Sequence, residues 1–212
     1  MRSALRRGHT EETTQERKGE RMKLTTNQQI SVDGVVQDNG RWARSQFDSE
    51  AMAFVDDFYQ RAGAFLFGRR TYDLFAGYWG VRDDLENPIV GALNTKPKFV
   101  ASNTLTDPQW ADTTVLSGDL AAAVRELKAT PGAELQVHGS GTLTQWLLEN
   151  ELVDEMNLLI IPIVVGQGAR LFPNSGPDLA LDLVESRAFP KGITLQVYRP
   201  AGRPRYATDS GE

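Results

Sequence analysis

Three short polar segments each follow an apolar run of the sequence, and their residue types suit the binding of phosphate groups. They are Gly68-Arg69-Arg70-Thr71, Ser102-Asn103 and Gly139-Ser140-Gly141-Thr142. Arginine guanidinium groups form bidentate, charge-assisted hydrogen bonds with phosphates. Glycines let a phosphate approach the free backbone N–H groups at a helix N-terminus. Each segment alone is a common turn, but three at successive strand ends indicate an extended, multiply phosphorylated ligand such as a dinucleotide.

The composition excludes several other kinds of site. The chain of 212 residues has no cysteine, which excludes disulfides, thiolate nucleophiles and cysteine metal sites. With only His9 and His138, a Ser-His-Asp triad or a multi-histidine metal site is not expected. A Gly-Lys dipeptide for a P-loop and a Tyr-x-x-x-Lys of short-chain dehydrogenases are both absent. The net charge of −5 argues against nucleic-acid binding, and no apolar run is long enough to cross a membrane.

The elements that must position the polar segments alternate between apolar strands and amphipathic helices. Helices are expected over 49–62, with Asp48 as N-cap, and after Gly68, Ser117 and Gly141. This order predicts an α/β domain with a mixed sheet, in which ligands bind at the carboxyl ends of the strands. Strands are expected over 24–36, 64–67, 97–102, 135–138 and 156–165, before a hairpin of 181–187 and 193–198.

A single folded domain is expected over residues 22–200. Residues 1–21 are charged and nearly free of large apolar side chains, which predicts a disordered polar extension with Met22 as an alternative start. Residues 201–212 are expected to form a flexible C-terminal tail. The extension lacks the apolar core of a signal peptide, so the expected location is the cytoplasm.

Four segments of the sequence resemble the dihydrofolate reductase superfamily, in the branch that contains the reductase domain of riboflavin biosynthesis, the C-terminal domain of the bifunctional deaminase-reductase. They are QISVDGVV, FLFGRRTYDLF, KFVASNTL and the run from Val137 to Phe172, and the resemblance spans about 24–198. It implies a three-layer fold with a mostly parallel central sheet, helices on both faces and a C-terminal antiparallel hairpin. It also implies an NADPH-dependent reductase of a pterin- or pyrimidine-like ring, either of the 5-amino-6-(5-phosphoribosylamino)uracil reductase type or of the dihydrofolate reductase type, and a homodimer.

The resemblance further implies which residues bind NADPH, with no metal involved. The positions that match the family are Gly68, Arg69, Arg70 and Thr71 for the adenosine phosphates, Ser102 and Asn103 for another adenosine-side contact, Gly139, Ser140, Gly141 and Thr142 for the pyrophosphate, and the backbone around Gln29 and Val36 for the nicotinamide.

Asp33 and Asp48 are the candidate catalytic residues, and each has an alternative role. Asp48 precedes the first long helix, where dihydrofolate reductases carry the carboxylate that binds the pterin, but an ordinary N-cap explains it equally well. Asp33 lies in a Ser-Val-Asp-Gly segment typical of the riboflavin branch, and a plain Asp-Gly turn is the alternative. His138 is expected to be buried and satisfied. The run Leu158–Val165 is either core or a dimer surface. A catalytically inactive nucleotide-binding protein of the same fold is the alternative function.

Overall fold

The apolar runs of the sequence form one eight-stranded sheet in the computed structural model, which describes residues 21–207. The strands are β1 (Lys23–Ser31), β2 (Ala62–Gly68), β3 (Lys98–Ala101), β4 (Thr113–Leu116), β5 (Glu134–His138), β6 (Glu155–Ile161), β7 (Leu181–Ala188) and β8 (Thr194–Pro200). The helices are α1 (Asn39–Trp42), α2 (Ser49–Arg61), α3 (Arg69–Tyr78), α4 (Pro88–Thr95), α5 (Leu120–Ala129) and α6 (Gly141–Glu149), with a 3-10 turn at Arg44–Gln46.

The strand order across the sheet is β4-β3-β2-β5-β1-β6-β8-β7. The first six of these strands pair in parallel. Strand β8 runs antiparallel to β6, and β7 runs antiparallel to β8. The predicted mixed, mostly parallel sheet with a C-terminal antiparallel hairpin is therefore confirmed.

Helices cover both faces of the sheet and bury a separate apolar cluster on each. On one face α2 and α4 contribute Val55, Tyr59 and Leu93 to a cluster that includes Phe65 and Ile161 of the sheet. On the other face α5 and α6 pack their apolar sides against the sheet, and the buried residues there include Val124, Leu143, Leu147, Leu135 and Leu158. Burial of both faces explains why β2 and β6 are nearly continuous apolar runs.

The helices begin in two different ways. The side chain of Asp48 caps α2 by accepting hydrogen bonds from the N–H groups of Glu50 and Ala51. Asn87 caps α4 in the same way, and Asp119 caps α5. Helices α3 and α6, which begin at the predicted phosphate-binding segments, have no side-chain cap. Their first backbone N–H groups are therefore not satisfied by a capping side chain.

Several element boundaries differ from those expected, and proline chemistry explains one of them. Strand β6 ends at Ile161 because Pro162 has no N–H group to continue the sheet. Leu158 and Ile161 are buried in the core, as one of the two expected alternatives for this run has it, whereas Val164 beyond Pro162 is 69% exposed. Strand β4 and helix α4 were not expected, since each is short and without a clear period.

The chain ends add little to the sheet. The predicted extension lies outside the described residues except for Arg21, which forms an isolated bridge with Pro131. In the predicted tail, Arg203 and Tyr206 contact the side chain of Asp178. Of the helices between residues 21 and 207, none is long and apolar enough to cross a membrane.

Candidate functional site

Two of the predicted phosphate-binding segments are joined by a pair of hydrogen bonds. The N–H group of Gly68 donates to the Ser140 hydroxyl at 3.0 Å, and the N–H group of Ser140 donates to the Thr71 hydroxyl at 3.1 Å. The two turns meet because β2 and β5 are neighbours in the sheet and end at the same edge. The turns that begin α3 and α6 therefore form one unit.

The turn after β5 has a left-handed backbone at two successive residues. Gly139 has φ +55° and Ser140 has φ +53°. Left-handed backbone is unstrained for glycine, which explains Gly139. At Gly141 the reason is close approach, because a Cβ atom there would lie 3.2 Å from Cγ2 of Val36. The sheet edge thus brings Val36, after β1, against the glycine turn.

Gln28, which the sequence did not single out, and Thr144 hold this turn in place. Gln28 is 2% exposed, and its amide donates to the carbonyl of Gly139 and to the Thr144 hydroxyl. In the dinucleotide-binding fingerprint G-x-G-x-x-G, Thr144 stands where the third glycine would allow close packing of the helix against the strand. Here the Thr144 hydroxyl instead accepts a hydrogen bond from Gln28 of β1. The signal for Gln28 was the polar start of β1, which is unusual for a buried central strand.

The two arginines after β2 differ in their surroundings. The Nε–H group of Arg69 donates to both carboxylate oxygens of Asp73, one helical turn further along, at 2.9 and 2.8 Å. Arg70 is exposed and forms no ion pair within the described part of the chain. An exposed i,i+4 pair is weak, so Arg69 can exchange its partner at little cost, whereas Arg70 has none to give up.

Ser102 and Asn103 fold the loop after β3. The Ser102 hydroxyl accepts from the N–H groups of Thr104 and Leu105 at 3.2 and 3.1 Å. The Asn103 side-chain oxygen accepts from the N–H group of Gly118 at 3.1 Å, which links this loop to the turn before α5. Strand β3 lies next to β2, so this loop adjoins the joined turns at the same edge of the sheet.

The Asp33 carboxylate fastens the loop after β6 to the end of β1. It accepts hydrogen bonds from the Ser31 hydroxyl at 2.6 Å, from Val165 N–H at 3.0 Å and from Gly166 N–H at 2.9 Å. Arg170 lies 3.5 Å away. These bonds, the Ser31 hydroxyl above all, lower the pKa of Asp33 to about 2. Both oxygens are therefore engaged by the protein, and the catalytic role of Asp33 stays a prediction.

Asp48 has the capping role that the sequence allowed. One oxygen caps α2, and the other accepts from the N–H group of Lys191 at 2.9 Å, which ties the helix to the β7–β8 turn. The Ala51 N–H bond is the main reason why the pKa of Asp48 is below its usual value. The N-cap is confirmed, and its catalytic role, like that of Asp33, stays a prediction.

A small cleft lies between α2 and the centre of the sheet, with a volume of about 40 Å³. His138 lies in its wall, 6% exposed, stacked on Tyr59 at 4.0 Å and bonded through Nε2 to the Gln136 side chain at 2.9 Å. Burial lowers the pKa of His138 to about 3, so the ring is neutral. The expected burial of the histidine is confirmed, and its Nε2 atom has a hydrogen-bond partner. The cleft is lined by Asn27, Gln28, Gln29, Phe54, Val55, Phe58, Tyr59, His138, Asn157 and Leu159.

Gln29 in β1 and Val36 in the loop that follows it lie at two different parts of the site. Gln29 lines the cleft, and its side-chain oxygen accepts from Asn39 at 3.4 Å. Val36 contacts the glycine turn and donates its N–H to Ala169 at 2.9 Å. Strand β1 and its loop thus connect the cleft with the two joined turns.

A central, mostly parallel sheet with helices on both faces and glycine turns at neighbouring strand ends is the architecture of dihydrofolate reductase-like proteins. Within that class, residues 22–195 match the model of the RibD C-terminal domain, and the chain belongs to this family. The resemblance that the sequence motifs indicated is thereby confirmed.

Curated relatives and solved structures agree with this assignment. The uncharacterized protein YyaP of Bacillus subtilis (strain 168) is 28% identical over 80% of this chain and 90% of its own. YwjB of the same organism is 23% identical over 80% and 94%. A candidate riboflavin biosynthesis protein of Shewanella sp. PV-4 is 27% identical, with a TM-score of 0.68 over 84% of this chain and 99% of its own.

Two further solved structures share the fold at lower identity. A pyrimidine reductase-like protein of Corynebacterium diphtheriae is 15% identical, with a TM-score of 0.60 over 84% of this chain and 92% of its own. RibD of Acinetobacter baumannii is 16% identical, with a TM-score of 0.59 over 85% of this chain and 58% of its own.

Proposed function

We propose that this protein is an NADPH-dependent reductase that transfers hydride to a small pterin- or pyrimidine-like ring. Membership of a reductase-related family supports the proposal. The observation that carries it is the pair of hydrogen bonds that joins Gly68, Thr71 and Ser140 into one unit. That unit presents two uncapped helix N-termini at one edge of the sheet.

The joined turns have the chemistry that a pyrophosphate requires. Helix N-termini favour negative charge through their dipoles and their free N–H groups. No capping side chain covers the backbone N–H groups at the start of α3 or of α6. A monophosphate needs only one such terminus, whereas two adjoining ones suit a dinucleotide.

We assign the remaining groups along the sheet edge in the order in which they occur. The exposed Arg70, with Arg69, would hold the 2′-phosphate that distinguishes NADPH from NADH. The loop of Ser102 and Asn103 lies on the adenosine side, and Thr142 is in the exposed first turn of α6. Gln29 and the Val36 backbone lie where β1 leads into the cleft, on the nicotinamide side.

The bound cofactor would supply hydride, and the protein's part is mainly positioning and exclusion of water. The cleft beside β1 is lined on one side by α2, so a planar ring there would lie against apolar side chains. Asp33 fixes the loop after β6 to the end of β1, and Asp48 caps α2. These contacts support a positioning role for both carboxylates.

The test is titration of the purified protein with NADPH and with NADH, followed by quenching of its tryptophans and by energy transfer to the nicotinamide. Tight binding that favours NADPH is the expected result, and hydride transfer to a pterin or pyrimidine then completes the assignment. Binding without transfer to any such ring would favour the catalytically inactive nucleotide-binding alternative. Binding of neither cofactor would overturn the proposal.

We further propose a homodimer, paired through the outer edge of the sheet. Strand β7 pairs only with β8 among the strands of residues 21–207. It exposes Leu183 at 56% and Val184 at 47%. An exposed edge strand with apolar side chains is a ready surface for pairing with another chain.

A further inference from the structure

Three polar side chains form a row across the central strands of the sheet. The parallel register pairs Asn27 of β1 with His138 of β5 on one side and with Asn157 of β6 on the other. Paired residues point to the same face of a sheet, so the three side chains lie together in the cleft beneath α2. The wall opposite the row is apolar and aromatic and includes Phe54 and Phe58.

Three polar atoms of the amide groups in this row lack hydrogen-bond partners. Both side-chain polar atoms of Asn27 and the Nδ2 atom of Asn157 are covered from solvent and have no hydrogen-bond partner within the described residues. Asn157 is 5% exposed. Buried amide groups are almost always paired in folded proteins, so unpaired ones that line a cleft are candidates to bind a ligand.

The surrounding hydrogen bonds fix the protonation of His138. The Gln136 amide nitrogen donates to the carbonyl of Phe58 at 2.9 Å and to Glu134 at 2.7 Å, which leaves its oxygen as the acceptor for His138. The His138 Nε2 atom therefore carries the proton, and Nδ1 keeps its lone pair. Nδ1 has no partner in the range 21–207.

Every polar group that lines the cleft is neutral. The lining residues include no Asp, Glu, Lys or Arg. A primary amide offers one donor group and one acceptor oxygen, which complement the carbonyl and the N–H of a cyclic amide. A 2,4-diamino edge presents donors and takes up a proton readily, so it pairs best with a carboxylate. The cleft supplies none.

We propose that Asn27 and Asn157 determine the specificity of this site, and that they bind the neutral cyclic-amide edge of the substrate ring. The inference rests on the proposed function, because it takes the small cleft as the place where one edge of the reducible ring enters. It goes further by naming the ring edge that is recognised and the two residues that recognise it. Rings with a 2,4-diamino edge are rejected because the amides leave their charge and their extra donors unpaired.

The test uses two probes with the same two-ring skeleton and different edges, lumazine with a 2,4-dioxo edge and 2,4-diaminopteridine. Their affinities are measured by calorimetry, with and without saturating NADPH. We expect the wild-type protein to prefer lumazine by about tenfold or more, as sites built on hydrogen bonds do. Asn27→Asp supplies the missing carboxylate, and we expect it to reverse the preference.

A second variant and a matched control show whether a changed preference arises in the cleft rather than from misfolding. Asn157→Asp makes the same change on the neighbouring strand and should also shift the preference toward the diamino probe. Asn174→Asp makes it at an exposed residue outside the cleft lining and should leave the preference unchanged. Circular dichroism and thermal unfolding of each variant establish that it is folded.

The results separate this inference from the proposed function. It is overturned if the wild-type protein binds the diamino probe as well as lumazine, if it binds neither, or if both folded Asp variants keep the wild-type preference. The protein could prefer lumazine, with the preference reversed in Asn27→Asp, and yet bind neither NADPH nor NADH. That result would uphold the specificity inference and overturn the proposed reductase function. NADPH binding without any probe preference would overturn the specificity inference and leave the proposed cofactor site standing.

Discussion

At the scale of single residues, the site contains side chains that are free to meet a ligand and side chains already committed to the protein. Within residues 21–207, Arg70 forms no ion pair, and the side-chain amide of Asn27 and the Nδ2 atom of Asn157 have no hydrogen-bond partner. Asp33 and Asp48, chosen from the sequence as catalytic candidates, are engaged on both of their oxygens. A carboxylate in a turn can be recognised from the sequence as a catalytic candidate. Whether its oxygens are free to act depends on backbone N–H groups from distant parts of the chain.

The arginine pair should decide between the two nicotinamide cofactors. We expect Arg69→Ala/Arg70→Ala to weaken NADPH binding by about tenfold to a hundredfold, the range for a lost charge-assisted hydrogen bond, and to leave NADH binding nearly unchanged. Arg70→Ala alone should account for most of the loss, because Arg69 is already paired with Asp73. The measurement is fluorescence titration of each cofactor.

A change at an arginine far from this edge is the matched control. Arg125→Ala, on exposed surface of α5, should leave both affinities at the wild-type value. Equal losses for NADPH and NADH in the double variant would remove the assignment of the 2′-phosphate to this pair.

The burial of His138 should make the stability of the protein depend on pH. The folded pKa is about 3, whereas the unfolded chain keeps about 6.5, so as the pH falls the unfolded state binds the proton first. The stabilising contribution is complete above pH 6.5 and is lost as the pH falls toward 3, at up to about 1.4 kcal/mol per pH unit.

Urea unfolding of the wild-type protein and of His138→Gln at pH 7 and pH 5 measures this effect. Between those values the wild-type free energy of unfolding should fall by about 2 kcal/mol more than that of the variant, as linkage requires over about 1.5 pH units. Parallel curves for the two proteins would mean that His138 can take up its proton in the folded state near its ordinary pKa.

At the scale of elements, the fold joins two strand–turn–helix units through backbone-to-hydroxyl hydrogen bonds. Thr71 in α3 and Ser140 before α6 are far apart in sequence but adjacent because β2 and β5 are neighbours. Gln28 of β1 fixes the second turn from the other side. The position of each helix N-terminus therefore depends on the neighbouring unit.

Breaking this link should affect both cofactors alike. Thr71→Val keeps the shape of the side chain and removes the acceptor for Ser140 N–H, which should lower the free energy of unfolding by about 1 kcal/mol. Because we assign to this turn the pyrophosphate that NADPH and NADH share, we expect similar losses of affinity for the two. Chemical denaturation and cofactor titration measure these effects.

Thr106→Val, in an exposed loop, makes the same chemical change outside the joined turns. It should change neither quantity. A selective loss of NADPH in Thr71→Val would instead place the Thr71 hydroxyl on the 2′-phosphate rather than between the two turns.

At the scale of the whole molecule, the two ends of the sheet differ. Strand β4 at one end is only four residues long, whereas β7 at the other end has eight, most of them exposed. Leu183 and Val184 are the exposed apolar side chains of β7. Short edge strands resist pairing, and long ones with apolar side chains invite it.

The proposed homodimer should dissociate when charges are placed on this edge. We expect Leu183→Lys/Val184→Glu to sediment as a monomer under conditions in which the wild-type protein sediments as a dimer. The cofactor affinity should be retained, since the joined turns lie on strands away from β7 in the strand order. A monomeric wild-type protein, or a variant that remains dimeric, would contradict the β7 interface.

The α/β class, most of the strands and helices, the glycine turns and the family could be predicted from the amino-acid sequence alone, whereas β4 and α4 could not. Periodic apolar residues, caps such as Asp48 and left-handed glycines such as Gly139 act within a few neighbouring residues, so their signals can be read locally. The polar residues at the start of β1 can also be seen in the sequence, but the sequence does not show which groups they contact.

Which of these residues meet in space could be learned only from the folded chain. The strand order β2-β5-β1-β6 brings Gly68 to Ser140 and sets Asn27 between His138 and Asn157. It also gives Asp33 its partners in the loop after β6. Hydrogen bonds and burial depend on contacts between distant parts of the chain, and these contacts follow from sheet topology rather than from local spacing.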